Sequence, residues 1–210
     1  MKLLIEIGAF DGRDSLRYHG QGYTVYTFEP KKDLFSTLFD KTKNLENYTV
    51  IPKAVSLKNG TTRFNICKSG GASSILPFRP DHELIQTWSA ARTDVQFSGE
   101  SYDVETTRLD TFIEENGLEH EIIDFIHIDA QGVDLDVLKS LGKYISNVQE
   151  GVVETVIDAN KSIYVGQDEN TLANVETFLT SNGFEITGVH GNDPTDCEYN
   201  VYFKKIVNNL

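Results

Sequence analysis

The opening stretch, Leu3-Leu4-Ile5-Glu6-Ile7-Gly8-Ala9-Phe10-Asp11-Gly12-Arg13-Asp14-Ser15, leaves few folds open to this chain. A short, almost unbroken apolar run reads as a strand buried on both faces. Glu6 interrupts it near its end, a glycine-bearing turn follows, and Asp14-Ser15-Leu16-Arg17-Tyr18 can open a helix. Strand, glycine turn and helix, in that order, form the entry to a pocket at the carboxyl ends of parallel strands.

The turn restricts what such a pocket can take. A dinucleotide fingerprint, G-x-G-x-x-G, uses its second glycine to let backbone approach a pyrophosphate. Here Gly8 is present, but Phe10 and Arg13 occupy the second and third glycine positions. The order is instead E-x-G-x-x-x-G, through Glu6, Gly8 and Gly12. A pyrophosphate would meet a bulky ring and the repulsion of Glu6. A ligand with a cationic head and no phosphate suits the same carboxylate, and S-adenosylmethionine is such a ligand. Glu29 closes the run Tyr23-Thr24-Val25-Tyr26-Thr27-Phe28. A carboxylate ending a second strand can accept hydrogen bonds from both hydroxyls of a ribose.

The 210 residues suffice for one α/β domain, residues 1–210, with no repeats and no internal boundary. Formal net charge is -13, and the basic residues are scattered rather than striped. Bulk nucleic acid and anionic membrane are therefore not expected partners. No apolar run reaches membrane-spanning length, and the start lacks the layout of a signal peptide. Cys67 and Cys197 fit two reduced packing thiols, so a cytoplasmic setting is expected.

Strand and helix signals alternate almost to the end. Pro30-Lys31-Lys32-Asp33 opens a helix with Leu34, Phe35, Leu38 and Phe39 at helical spacing. Tyr48 to Ser56 reads as a strand bent by Pro52, and Thr62 to Cys67 as an extra strand. Ser69-Gly70-Gly71-Ala72-Ser73-Ser74 is a small-residue loop that can lie close to a ligand, and a helix is expected between Pro77 and Trp88. Val104 to Leu109 alternates as a strand, Asp110 is placed to cap a helix over Thr111 to Asn116, and Ile122 to Asp129 is a central strand. Val133 to Leu141 is an amphipathic helix, Gly151 to Ile157 a strand, and Asn170 to Asn182 a helix stopped by Gly183. Phe184 to Thr187 and Tyr199 to Phe203 form a closing hairpin.

Several of these stretches, in order, resemble one family. IEIGAFDGRDS, YTFEP, VIPKAVS, GGASS, VETTRLDTF and DFIHIDAQGVDLDVLKSL, then the VVE of the following strand, are similar to the FkbM-type methyltransferases, a branch of the class I S-adenosylmethionine-dependent enzymes. The family pattern usually has Lys at the position of His127 and often Glu at that of Gln131. The resemblance implies an α/β Rossmann-like sheet of seven mostly parallel strands in the order 3-2-1-4-5-7-6, strand seven antiparallel, with helices on both faces. It implies methyl transfer to oxygen, commonly on sugars or polyketide-like acceptors. Carried over by position, Glu6, Gly8, Ala9, Asp11 and Ser15 line the methionine side. Glu29 holds the ribose, framed by Phe28 and Pro30. Ala54 and Val55 border the adenine, and Asp129 and Ala130 face the reacting end. Ser73 and Ser74 fall on the loop near the substrate opening.

Removing a proton from a sugar hydroxyl calls for a base or a metal. Asp129, Glu154 and Asp158 belong to the carboxyl ends of the central strands, with Asp129 at the crevice and His127 on its face. Asp129, His127 and Glu154 are thus the candidate catalytic residues, and Asp129, Glu154 and Asp158 a candidate magnesium set. Trp88, Arg92 and Tyr164 are candidate acceptor contacts, aromatic faces matching the apolar face of a sugar ring. The expected activity is O-methylation of a sugar or glycan hydroxyl. Two alternatives stand beside it: a module of this fold that binds nucleotide without turnover, and an NAD-dependent oxidoreductase. Because the first strand begins so close to Met1, a longer polypeptide is also envisaged, carrying a glycosyltransferase that makes the acceptor.

Overall fold

The computed structural model describes residues 2–68, 71–79, 97–192 and 198–207. Its strands are β1 (Lys2–Ile7), β2 (Tyr23–Phe28), β3 (Tyr48–Ile51), β4 (Ala54–Val55), β5 (Gly60–Cys67), β6 (Phe97–Thr107), β7 (Ile123–Ile128), β8 (Val148–Val156), β9 (Phe184–Gly191) and β10 (Glu198–Lys205). Its α-helices are α1 (Arg13–His19), α2 (Lys32–Thr42), α3 (Leu109–Glu115), α4 (Asp134–Ser140) and α5 (Leu172–Ser181). The main sheet runs β3-β2-β1-β7-β8-β10-β9. Counted within that sheet, this is the order 3-2-1-4-5-7-6 expected above. β10 is antiparallel to both β8 and β9, and β1, β2, β3, β7 and β8 pair in parallel.

The apolar run of β1 is buried on both faces because the strand lies at the centre of this sheet. Leu3, Ile5 and Ile7 join the larger core with Phe28, Ile126, Ile128, Leu135, Leu138, Leu179 and Phe203. Leu4 points the other way, into a second layer with Val25, Leu38, Tyr48 and Val50, covered by Leu16 and Phe35. Alternation of side chains along a strand produces both layers from one run. The backbone N–H of Leu3 donates to Asp124 at 2.8 Å, which ties the register of β1 to β7.

Several element limits differ from the sequence expectation, each for a visible reason. The strand expected over Tyr48 to Ser56 is two strands. β3 pairs with β2, whereas Ala54 and Val55 leave the main sheet after Pro52 and pair with Thr106 and Thr107 of β6. β4, β6 and β5 make a second, three-stranded sheet. Asp110 does not cap a helix from outside. It is the second residue of α3, gripped by Arg108 at 2.5–3.1 Å, and Ser140 Oγ accepts from the N–H of Leu109 at 3.2 Å. α5 starts two residues later than expected, since Asn170 is engaged elsewhere. Of the helix expected between Pro77 and Trp88, residues 77–79 are not helical, Phe78 forming an antiparallel bridge with Tyr164, and the rest lies outside the described residues, as do Trp88, Arg92 and Cys197. Among the described residues no helix is long and apolar enough to cross a membrane.

Candidate active site

Five elements end around one cavity of about 250 Å³. β1 contributes Ile7 and the turn Gly8 and Phe10, and β2 ends at Phe28, Glu29 and Pro30. Lys53 from the β3–β4 connection and Ala54 and Val55 of β4 add to the wall. β7 runs out into Asp129, Ala130 and Gln131, and β8 brings Glu154. The cavity thus sits at the carboxyl ends of the parallel strands, where order in the sheet reverses around β1 and crossovers diverge to opposite faces.

Gly8 sets how tightly the first turn meets the strand beside it. Its φ is +84°, and a Cβ there would lie 1.9 Å from the carbonyl oxygen of Asp129. No residue with a side chain fits that approach. The N–H groups of Gly8 and Ala9 both donate to the carbonyl of Phe28 at 3.0 Å, joining the turn to the end of β2. Phe10 follows with φ 49° and a half-exposed ring on the cavity wall.

Glu29 fastens this corner. Its Oε2 accepts from the N–H of Phe10 at 2.9 Å and its Oε1 from the N–H of Lys31 at 2.8 Å. Only 5% of the residue is exposed. Burial pushes its carboxyl up to about 7, against the pull of those two N–H donors. Each oxygen keeps a lone pair for a further donor, and the residue forms part of the cavity wall.

At the opposite end, two acids share one amide. Gln131 Nε2 donates to Asp129 Oδ1 at 2.6 Å and to Glu154 Oε2 at 3.0 Å. Asn192 donates to the other oxygen of Glu154. Burial raises both carboxyls, Glu154 well above its ordinary value, with the charge of Asp129 as the next cause. The loop carrying Gln131 is pinned from below by Asp134. Asp134 accepts from the N–H of Ala130 at 2.5 Å and of Gly132 at 3.1 Å, and from Asn170 at 3.0 Å. Burial, then the charge of Asp129, pushes Asp134 up to about 7.

The other expected site residues fall in three groups. Ser73 lies on the cavity wall with Gly71 and Ala72. A second set stands beneath the wall. Glu6 is buried, accepts from Thr27 Oγ1 at 2.5 Å and lies 3.6 Å from His127 Nδ1. Burial lowers the imidazole's basicity, but the hydrogen bond and charge of Glu6 outweigh it and leave His127 raised. Ser15 bonds Tyr48 at 2.7 Å, and Ala9 packs in the second core layer. Ser74 donates to the carbonyl of Gln131 at 2.6 Å, and Tyr164 is buried with its hydroxyl 2.6 Å from Gln131 Oε1. The third set lies apart from the wall. Asp11 accepts from the N–H of Arg13 at 3.0 Å at the start of α1, and exposed Asp158 accepts from Asn160 at 2.8 Å. Among the described residues no three His, Cys, Asp or Glu side chains gather as a metal would require. Gln131, Lys53, Asn192 and Glu198 line the cavity without having been singled out from sequence. Only Gln131 carried a signal, as a departure inside DAQG.

A ligand with a ribose diol, a flat base and a cationic end fits this donor set. Glu29 offers two acceptor lone pairs, and Phe28, Pro30, Ala54 and Val55 form an apolar stretch of wall. A pyrophosphate does not fit. Among the described residues the only basic side chain on the wall is Lys53, which is 3.3 Å from Glu105, and Asp11 already occupies the start of α1.

Solved structures share this fold at low identity. Magnesium protoporphyrin IX methyltransferase (ChlM) from Synechocystis PCC 6803, solved with bound S-adenosylmethionine, is 10% identical, with a TM-score of 0.50 over 98% of this chain and 70% of that one. The bifunctional kinase-methyltransferase WbdD is 8% identical, with a TM-score of 0.50 over 99% of this chain and 36% of that one. TrmK from M. capricolum, solved with S-adenosylhomocysteine, is 8% identical, with a TM-score of 0.49 over 100% of this chain and 65% of that one. The chain therefore spans less than two thirds of both WbdD and TrmK. No curated protein sequence matches it. The FkbM methyltransferase domain model, however, matches residues 6–186, most of the chain including every wall of the cavity up to Glu154, and on that match the chain belongs to the FkbM methyltransferase domain family.

Proposed function

We propose that this protein transfers a methyl group from S-adenosylmethionine to a hydroxyl of a neutral, polyhydroxylated acceptor, a sugar or glycan. The observation that carries the reading is the division of the cavity into two ends. A buried carboxylate, Glu29, stands at one, and the amide-bridged acids Asp129 and Glu154 stand at the other.

Glu29 would hold the ribose hydroxyls, with Ala54, Val55 and Phe28 against the adenine. The backbone of Gly8 and the carboxylate of Asp129 would face the methionine end. Bound there, S-adenosylmethionine supplies an activated methyl on a sulfonium. The chain's own task is then to align the acceptor and take its proton. Asp129 is the group placed for that. It follows directly on β7 and lies on the wall, whereas His127 faces Glu6 beneath it.

Charge supports this choice of acceptor class. Among the described residues, Glu29, Asp129, Glu154 and Glu198 line the cavity, against a single Lys53. Hydroxyls can donate to carboxylates, whereas a phosphate or carboxylate on the acceptor would be repelled. The net charge of -13 disfavours a nucleic-acid acceptor in the same way. The test is release of S-adenosylhomocysteine with a panel of neutral glycans, acidic glycans and RNA. Release with neutral glycans alone supports the reading; release only with RNA or acidic glycans contradicts it.

A further inference from the structure

Gln131 is held more tightly than a loop glutamine needs to be. Its backbone has φ 52°, an uncommon conformation for a residue with a side chain. Its carbonyl accepts from Ser74 Oγ at 2.6 Å. The neighbouring N–H groups of Ala130 and Gly132 are fixed by Asp134. Its side-chain oxygen lies 2.6 Å from the hydroxyl of Tyr164. That hydroxyl also lies 3.0 Å from the carbonyl of Ala72, so its one proton faces two carbonyl oxygens. With Oε1 turned to a donor, both protons of Nε2 must point the other way. They point at Asp129 and Glu154.

We propose that Gln131 is a positioning residue, whose amide, oriented by Tyr164, gives one N–H to each of Asp129 and Glu154 and so keeps Asp129 ionised as the proton acceptor. The inference rests on the methyl-transfer reading above. Two neighbouring carboxyls in a buried site do not both ionise readily, so the pair holds one proton between them. The shorter amide bond goes to Asp129, which also feels the imidazole of His127. Glu154 is the more enclosed, and the charges of Asp129, Glu198 and Asp134 face it. Among the described residues, the remaining titratable groups around the pair are Glu6 beneath β7, the buried, neutral phenol of Tyr164, and Lys53 on the far wall. In the transfer step the acceptor's O–H bond breaks. Its proton passes to Asp129, and its electron pair stays on the oxygen, which would attack the methyl carbon as the carbon–sulfur bond breaks, that bond's electron pair remaining on the sulfur of the departing S-adenosylhomocysteine.

The experiment compares wild type with Gln131→Leu and Tyr164→Phe. Carboxylates labelled with ¹³C are titrated by NMR, and kcat is measured against pH. Loss of both donors in Gln131→Leu moves the Asp129 titration, and the acidic limb of kcat, up by about one pH unit or more, roughly a tenfold loss of kcat on that limb. Affinity for S-adenosylmethionine stays within about twofold, because Gln131 stands at the opposite end from Glu29. Tyr164→Phe, which frees the amide to rotate, shifts both in the same direction by less, and it carries the test if Gln131→Leu does not fold. An Asp129 titration that is the same in both variants as in wild type overturns the inference, whether or not transfer is detected. Wild type that binds S-adenosylmethionine yet transfers to no acceptor overturns the functional reading instead.

Discussion

Glu29 combines a burial cost with the ribose-holding role proposed for it. Its carboxyl is held near 7, compared with an ordinary 4.5. Between those values the folded protein keeps a proton that the unfolded chain has lost. Stability from this group is therefore full below about pH 4.5 and is lost as pH rises through 7, by roughly 3 kcal/mol. A ribose diol donates to the ionised form, so binding favours ionisation. The dissociation constant for S-adenosylmethionine should fall about tenfold from pH 6 to pH 8, following the ionised fraction of a group near 7. Titration calorimetry at the two pH values checks this, with Glu29→Gln expected to bind weakly and without that dependence. At the other end of the cavity, Asp129→Asn keeps the shape of the wall and removes its charge. Turnover should drop by about two to four orders of magnitude, the range for a lost general base. Cofactor affinity should hardly change, which separates Asp129 from Glu29 in one pair of assays. A near-normal kcat in Asp129→Asn would move the base to Glu154 or His127.

At the scale of elements, the site depends on how closely β1 and β7 release their loops. Gly8→Ala puts a methyl into the carbonyl of Asp129 at a positive φ, and neither strand can retreat from a shared ladder. We expect a loss of more than about 2 kcal/mol, within the range for strained backbone plus overpacking. Thermal denaturation of the variant measures it. The β1 turn and the run of β7 were legible because their signals are local: a buried strand, then glycine, then a helix. The sheet order has no such local signal and was implied by the family resemblance alone. The second sheet was not legible, since Ala54 and Val55 find their partners at Thr106 and Thr107, far along the chain. Pro52 announced a break without saying where the chain would go. Asp110 carries the residue type of a helix cap, but Arg108 and Ser140, brought up by tertiary packing, decide its place. Gln131 failed to stand out for a similar reason. Its importance lies in Tyr164, Asp129 and Glu154 meeting around it, and no spacing in the sequence records that meeting.

For the whole molecule, the central claim is that the cavity takes S-adenosylmethionine and not a dinucleotide. The carboxyl-end location alone does not distinguish them, since both ligand classes use it. The distinction lies in Phe10 at the turn, Asp11 at the start of α1, and a wall whose one cation among the described residues is Lys53. The most direct measurement is a thermal melt of the intact protein at pH 8 with each ligand separately. At one hundred times its dissociation constant, a ligand binding only the folded state adds about 2.7 kcal/mol. For a chain of this length that is a rise in Tm of roughly 5–10 °C. The account predicts such a rise with S-adenosylmethionine and S-adenosylhomocysteine, none with NAD, and loss of the rise in Glu29→Ala. A rise with NAD alone would contradict it.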